Sequence, residues 1–149
     1  MKSFFSFLDT GFIKYVPQPL QHVAVANKAA NMGGGVTFST GEDLDTLVSQ
    51  GVLRSKIEEK PAIDGLVFFS VRQFFYGGDL NIKLLGSILD GGYEIHFARE
   101  NFSILTKEEL DDAFPMLYST RYLLERDEPR SYWQPVWDWL SKEQRGHTI

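Results

Sequence analysis

The chain has 149 residues, with 15 Lys and Arg against 20 Asp and Glu, a net charge of -5 and no cysteine. That length fits one domain with one core, the acidic balance disfavours avid binding to nucleic acid or an anionic bilayer, and the missing thiols exclude disulfides and cysteine chemistry. Its apolar runs are too short for a membrane span or a secretory leader, so a cytoplasmic protein is expected.

Phe4 to Leu8 reads as a buried strand. From Pro17 onward, Leu20, Val23, Ala24 and Ala30 recur at near-helical spacing as far as Gly33, with Pro17 or Pro19 in a first turn that tolerates a missing amide. Val36 to Phe38 is a short second strand, and Leu44, Leu47 and Val48 suggest a short helix ended by Gly51. Leu66-Val67-Phe68-Phe69 is apolar on both faces, as a central parallel strand covered by helices must be. Asp79, after Gly77-Gly78, is the expected N-cap of a helix with Leu80, Leu84, Leu85 and Ile88 on one face and Gly91-Gly92 as its stop. Tyr93 to Ala98 alternates as a strand, with Glu94 and His96 opposite Tyr93, Ile95 and Phe97. The two strands and the helix between them make a right-handed parallel βαβ unit.

Thr106 to Glu109 is a capping box opening a helix whose apolar face is Leu110, Ala113, Phe114 and Leu117, and Pro115 should kink or divide it. A second box at Ser131 to Gln134 opens a helix with Trp133, Val136, Trp137 and Leu140 on one face. The elements predict an α/β domain over residues 1–126: a single doubly wound, mostly parallel sheet of about four strands, helices on both faces, and C-terminal helices after it. Residues 127–149 then form a Trp-rich amphipathic helix that packs on the same domain or makes a homodimer through Trp133 and Trp137.

In such a sheet ligands bind outside the carboxyl ends of the strands, where strand order reverses. That rule selects Ser6, Asp9 and Thr10; Ser39, Thr40 and Glu42; Ser70, Arg72 and Gln73; and Arg99, Glu100 and Asn101. Taken singly, each such residue is more often a helix cap. His96, inside a strand, is either a hydrogen-bonded core histidine or a proton carrier. No phosphate fingerprint occurs and the histidines share no ligand spacing, so no cofactor and no metal are expected; a bound phosphate would need Arg72 or Arg99 as counter-charge. Ser70 sits in Phe68-Phe69-Ser70-Val71-Arg72, which is not a nucleophile elbow.

The order strand, polar turn, long helix, strand, then Asp64 to Ser70, a helix and Tyr93 to Ala98, is similar to the catalytic domain of serine recombinases. That likeness implies a resolvase-like or flavodoxin-like fold, but not strand cleavage: Phe4 stands where an arginine should precede Ser6, and Val71-Arg72-Gln73 replaces the Asp-Arg pair. A closer likeness, over about residues 12–115, rests on Val16-Pro17-Gln18 with Gln21, on Ser39 and Glu42, on Ile63-Asp64-Gly65 to Ser70, and on His96-Phe97-Ala98 with Glu100. In these positions the chain resembles the uncharacterised sporadic carbohydrate cluster proteins, encoded beside genes for surface-glycan biosynthesis. His22 departs from the asparagine usual there.

The resemblance implies a role in bacterial surface-carbohydrate biosynthesis, binding or modifying a sugar-derived metabolite at the carboxyl edge of the sheet. Glu42, Glu100 and His96 are the candidate acid/base groups, and Gln18, Gln21, Ser39, Ser70, Arg72 and Arg99 the candidate substrate contacts. The alternatives are a non-catalytic homodimeric interaction module and, further off, a resolvase-like nucleic-acid protein. Neither nucleic acid nor a membrane is an expected partner.

Overall fold

Strands apolar on both sides must be covered on both sides, and this requirement organises the molecule. The computed structural model describes residues 1–42, 50–76 and 79–126. In chain order the elements are β1 (Lys2–Asp9), α1 (Gln18–Asn31), β2 (Gly34–Glu42), α2 (Gly51–Glu58), β3 (Gly65–Phe68), β4 (Phe75–Tyr76), β5 (Asp79–Leu80), α3 (Ile82–Asp90), β6 (Glu94–Phe97), β7 (Phe102–Ile104) and α4 (Lys107–Arg126), with short 3-10 turns at Thr10–Phe12 and Val71–Phe74. The main sheet has the order β2-β1-β3-β6-β7, and β4 pairs with β5 apart from it. β1 runs parallel to β2 and β3, and β3 parallel to β6. β7 lies antiparallel at the edge, adding a fifth strand to the expected set.

Neighbouring side chains of the central strands point to opposite faces and feed two cores. Phe4, Leu8, Val67 and Phe69 pack with Val25 and Ala29 of α1. Phe7, Leu66, Phe68, Ile95 and Phe97 pack with Leu53 of α2, Leu85 and Ile88 of α3, and Leu117 of α4. Helices therefore cover both faces, and the α/β doubly wound fold read from the sequence is the fold observed. The chain leaves β1 to form β2 on one side and returns to place β3 on the other, so strand order reverses between β1 and β3.

Several local expectations are corrected. α3 begins at Ile82, not at Asp79: Asn81 Oδ1 accepts the Leu84 amide at 3.3 Å as the cap, while Asp79 and Leu80 pair with Tyr76 and Phe75. Gly51 opens α2 instead of ending a helix. The expected helix over Leu44, Leu47 and Val48 lies outside the described residues, as do Gly77-Gly78, the second capping box, and Trp133 and Trp137. α4 runs through Pro115 undivided. The Thr106 box forms with one change: Thr106 Oγ1 accepts the Glu109 amide at 3.2 Å, and Glu109 Oε2 reaches back to the Leu105 amide at 2.6 Å. Gly33 and Gly92 follow α1 and α3 with φ of 87° and 86°, left-handed stops that a side chain would strain. Among the described residues, no helix is long and apolar enough to cross a membrane.

Candidate functional site

Three strand ends stand level at the carboxyl edge. Asp9 closes β1; the Phe69 amide donates to Phe7 O at 3.0 Å and the Arg99 amide to Phe69 O at 2.8 Å, carrying β3 and β6 on to Ser70 and to Arg99-Glu100 at the same height. Ser70 then turns the chain. It caps the Val71–Phe74 turn, accepting the Arg72 amide at 3.1 Å, while Gln73 Oε1 accepts the Ser70 amide at 3.0 Å and Gln73 Nε2 donates to Phe7 O at 3.2 Å. The loop that carries Ser70 and Arg72 is thereby tied to β1, beside Asp9.

One ion pair and one hydroxyl–carboxylate pair result. Arg72 Nη1 donates to both Asp9 oxygens, at 3.0 and 2.8 Å, and Asp9 is fully buried. Gln21, equally buried, holds the Asp9 backbone by accepting its amide at 2.8 Å and donating to its carbonyl at 3.0 Å, with a further bond to Val16 O at 3.1 Å. On the neighbouring strand end Glu100 accepts from Ser70 Oγ at 2.8 Å and from the Val71 amide at 3.0 Å. Arg99 Nη1 lies 3.5 Å from Ser70 Oγ. Phe12, buried in the turn after β1, joins the pairs: the guanidinium carbons of Arg72 and Arg99 stand 5.1 and 5.0 Å from its ring centroid, within cation–π reach.

Burial shifts the pKa of both acids upward. Desolvation raises the Asp9 pKa, and the Arg72 guanidinium pulls it back only in part. Desolvation likewise raises that of Glu100, against the Val71 amide, the Ser70 hydroxyl and the Arg99 charge, all of which favour the carboxylate. A carboxyl with a raised pKa, hydrogen-bonded to a hydroxyl at the carboxyl edge of the sheet, is equipped to carry a proton.

Of the candidates chosen from sequence, Gln21, Ser70, Arg72, Arg99 and Glu100 come together with Asp9. Ser39 stands one strand over, its hydroxyl accepting from Ser6 Oγ at 2.8 Å and lying 3.5 Å from His22 Nδ1. Gln18 is exposed at the first position of α1. Glu42 pairs in register with Asp9 at the end of β2, and its side chain lies outside the described residues.

The structure does not bring His96 into this group. It is fully buried in mid-strand against Phe4, with Nδ1 2.7 Å from Ser103 Oγ and Nε2 2.9 Å from Glu94 Oε1. The carboxylate can only accept, which assigns the ring proton to Nε2, and burial lowers the imidazole pKa despite the pull of Glu94. Both nitrogens are engaged inside the core. Sequence reasoning missed Phe12, whose only signal was an aromatic three residues after the β1 end, and missed Gln50, which donates to Gln73 O at 2.9 Å and accepts from Asn81 Nδ2 at 3.2 Å. Among the described residues, no group of His, Asp and Glu is arranged to hold a metal ion.

No protein-family model, no curated protein and no solved structure significantly matches this chain.

Proposed function

We propose that the chain binds a small sugar-derived metabolite at the carboxyl edge of its sheet, in the crevice between β1 and β3, and serves surface-carbohydrate biosynthesis. The observation that supports this most is the knitting of Asp9, Ser70, Arg72, Arg99 and Glu100, from three strand ends far apart in sequence, into one polar group beside the point where strand order reverses. Gln21, Ser70 and Glu100, which carry the likeness to the sporadic carbohydrate cluster proteins, all belong to it. On this reading the guanidiniums orient the ligand, the buried Ser70 hydroxyl and Gln21 hold the strand ends and Glu100 in place, and Glu100 is the proton carrier available to a reaction.

The test is thermal unfolding of the wild type and of Ser70→Ala and Glu100→Ala against a panel of monosaccharides, sugar phosphates, uronates and nucleotide sugars. A true ligand at a hundredfold its Kd adds about 2.7 kcal/mol of stability. The expected outcome is a rise in Tm for the wild type that both variants lose while remaining folded. A panel that leaves the wild type unmoved, or moves all three proteins equally, overturns the assignment.

A further inference from the structure

The four charged side chains of the rim do not present themselves equally to solvent. Asp9 is 0% exposed and both its oxygens face Arg72, while the Glu100 oxygens are taken by the Ser70 hydroxyl and the Val71 amide. The Arg72 side chain is 17% exposed, and Arg99 is half-buried. Asp9 is thus turned inward beneath Arg72, while Arg99 and Glu100 are both half-buried at the rim, although the chain as a whole is acidic. Both guanidiniums also approach one buried ring, Phe12, and Ser70 lies between them in the network, its hydroxyl accepting the Arg72 amide and lying 3.5 Å from Arg99 Nη1.

A guanidinium anchored in this way has surrendered much of its rotamer freedom before a ligand arrives, and its planar donors match the geometry of phosphate and carboxylate oxygens. A neutral hydroxyl gains little from such a donor that water does not already supply. We propose that the ligand of this crevice carries an anionic oxygen group, a phosphate or a carboxylate on its sugar-derived body, and that the Arg72 and Arg99 guanidiniums receive that group. The inference rests on the site assignment above and adds the charge class of what binds there.

The probes are inorganic phosphate and acetate, one for each source of anionic oxygen, titrated into the intact protein while the Arg Nε–Hε NMR signals are followed. Neutral glucose and its 6-phosphate are then added as competitors. The expected result is saturable movement of the Arg72 and Arg99 signals by one or both anions. Phosphate or acetate affinity should fall roughly tenfold or more in Arg99→Gln, and less in Arg99→Lys, which keeps the charge but loses the fork. Higher ionic strength should weaken the binding.

Glucose moving the arginine signals where neither anion does overturns the anionic class and leaves the sugar site standing. Anions that bind at Arg72 and Arg99 but are displaced by no sugar derivative of any charge overturn the sugar reading and leave the anion site. Arginine signals unmoved by every probe, in a protein whose spectrum shows it folded, overturn both.

Discussion

At the scale of single residues, burial raises the pKa of two acids, Asp9 and Glu100, whose partners differ. Asp9 has a guanidinium on its carboxylate and a buried glutamine on its backbone; Glu100 has a hydroxyl and an amide. Burial raises the Glu100 pKa above its unfolded value, so the folded state holds that proton more tightly. Its contribution to stability is then full below the ordinary carboxylate pKa and is lost as pH rises through the raised one. Glu100→Gln removes that loss, so the stability of the variant relative to the wild type should climb as pH rises above the ordinary carboxylate pKa, as read by urea midpoints across a pH series. A difference independent of pH contradicts the raised pKa.

Ser70, Arg72, Arg99 and Glu100 were legible in the sequence because each follows a recognisable strand, and the rule that strand ends converge needs no knowledge of partners. His96 was not, since its environment is set by Ser103 on β7, a strand the sequence did not announce, and by Glu94 on its own strand. Phe12 was missed for a similar reason: its role comes from two arginines far along the chain, which no local pattern connects to it.

At the scale of elements, the strongly patterned segments formed where they were read. β3 is apolar on both faces and pairs with a strand on each side; α1 begins next to Pro17 and ends before Gly33; β6 forms inside the segment read as a strand, with His96 on its second face as buried as Ile95 and Phe97. Boundaries failed where two residues competed for one task. Asp79 looks like the cap of α3, yet its segment folds back on Phe75 and Tyr76, and Asn81 takes over by accepting the Leu84 amide while also donating to Gln50. Asn81→Ala should therefore cost about 1 kcal/mol or more, as cap loss typically does, whereas Asp79→Ala at an exposed position should stay within about 0.5 kcal/mol. Chemical denaturation of the two variants checks this, and the reverse order of costs contradicts the observed start of α3.

At the scale of the whole molecule, strand order decides where chemistry can occur. The alternation of strands and helices announced a doubly wound sheet, but the order β2-β1-β3-β6-β7 depends on which strands pair across the chain, and no periodicity encodes that. Once the order is known, the reversal falls between β1 and β3, and the side chains at that reversal are the ones that close the Asp9–Arg72 and Ser70–Glu100 pairs. A competing location exists in the groove of about 580 Å³ between α3 and α4, lined by Ile82, Gly86, Lys107 and Leu110 among others, which has no comparable buried charged pair.

The most direct measurement is a backbone amide chemical-shift map of the intact protein, titrated with the panel compound that stabilises it most. The account predicts perturbations concentrated at Asp9 to Phe12, Ser70 to Gln73 and Arg99 to Asn101. Perturbations confined to Ile82 to Asp90 and Lys107 to Asp111, with the strand ends silent, would contradict it.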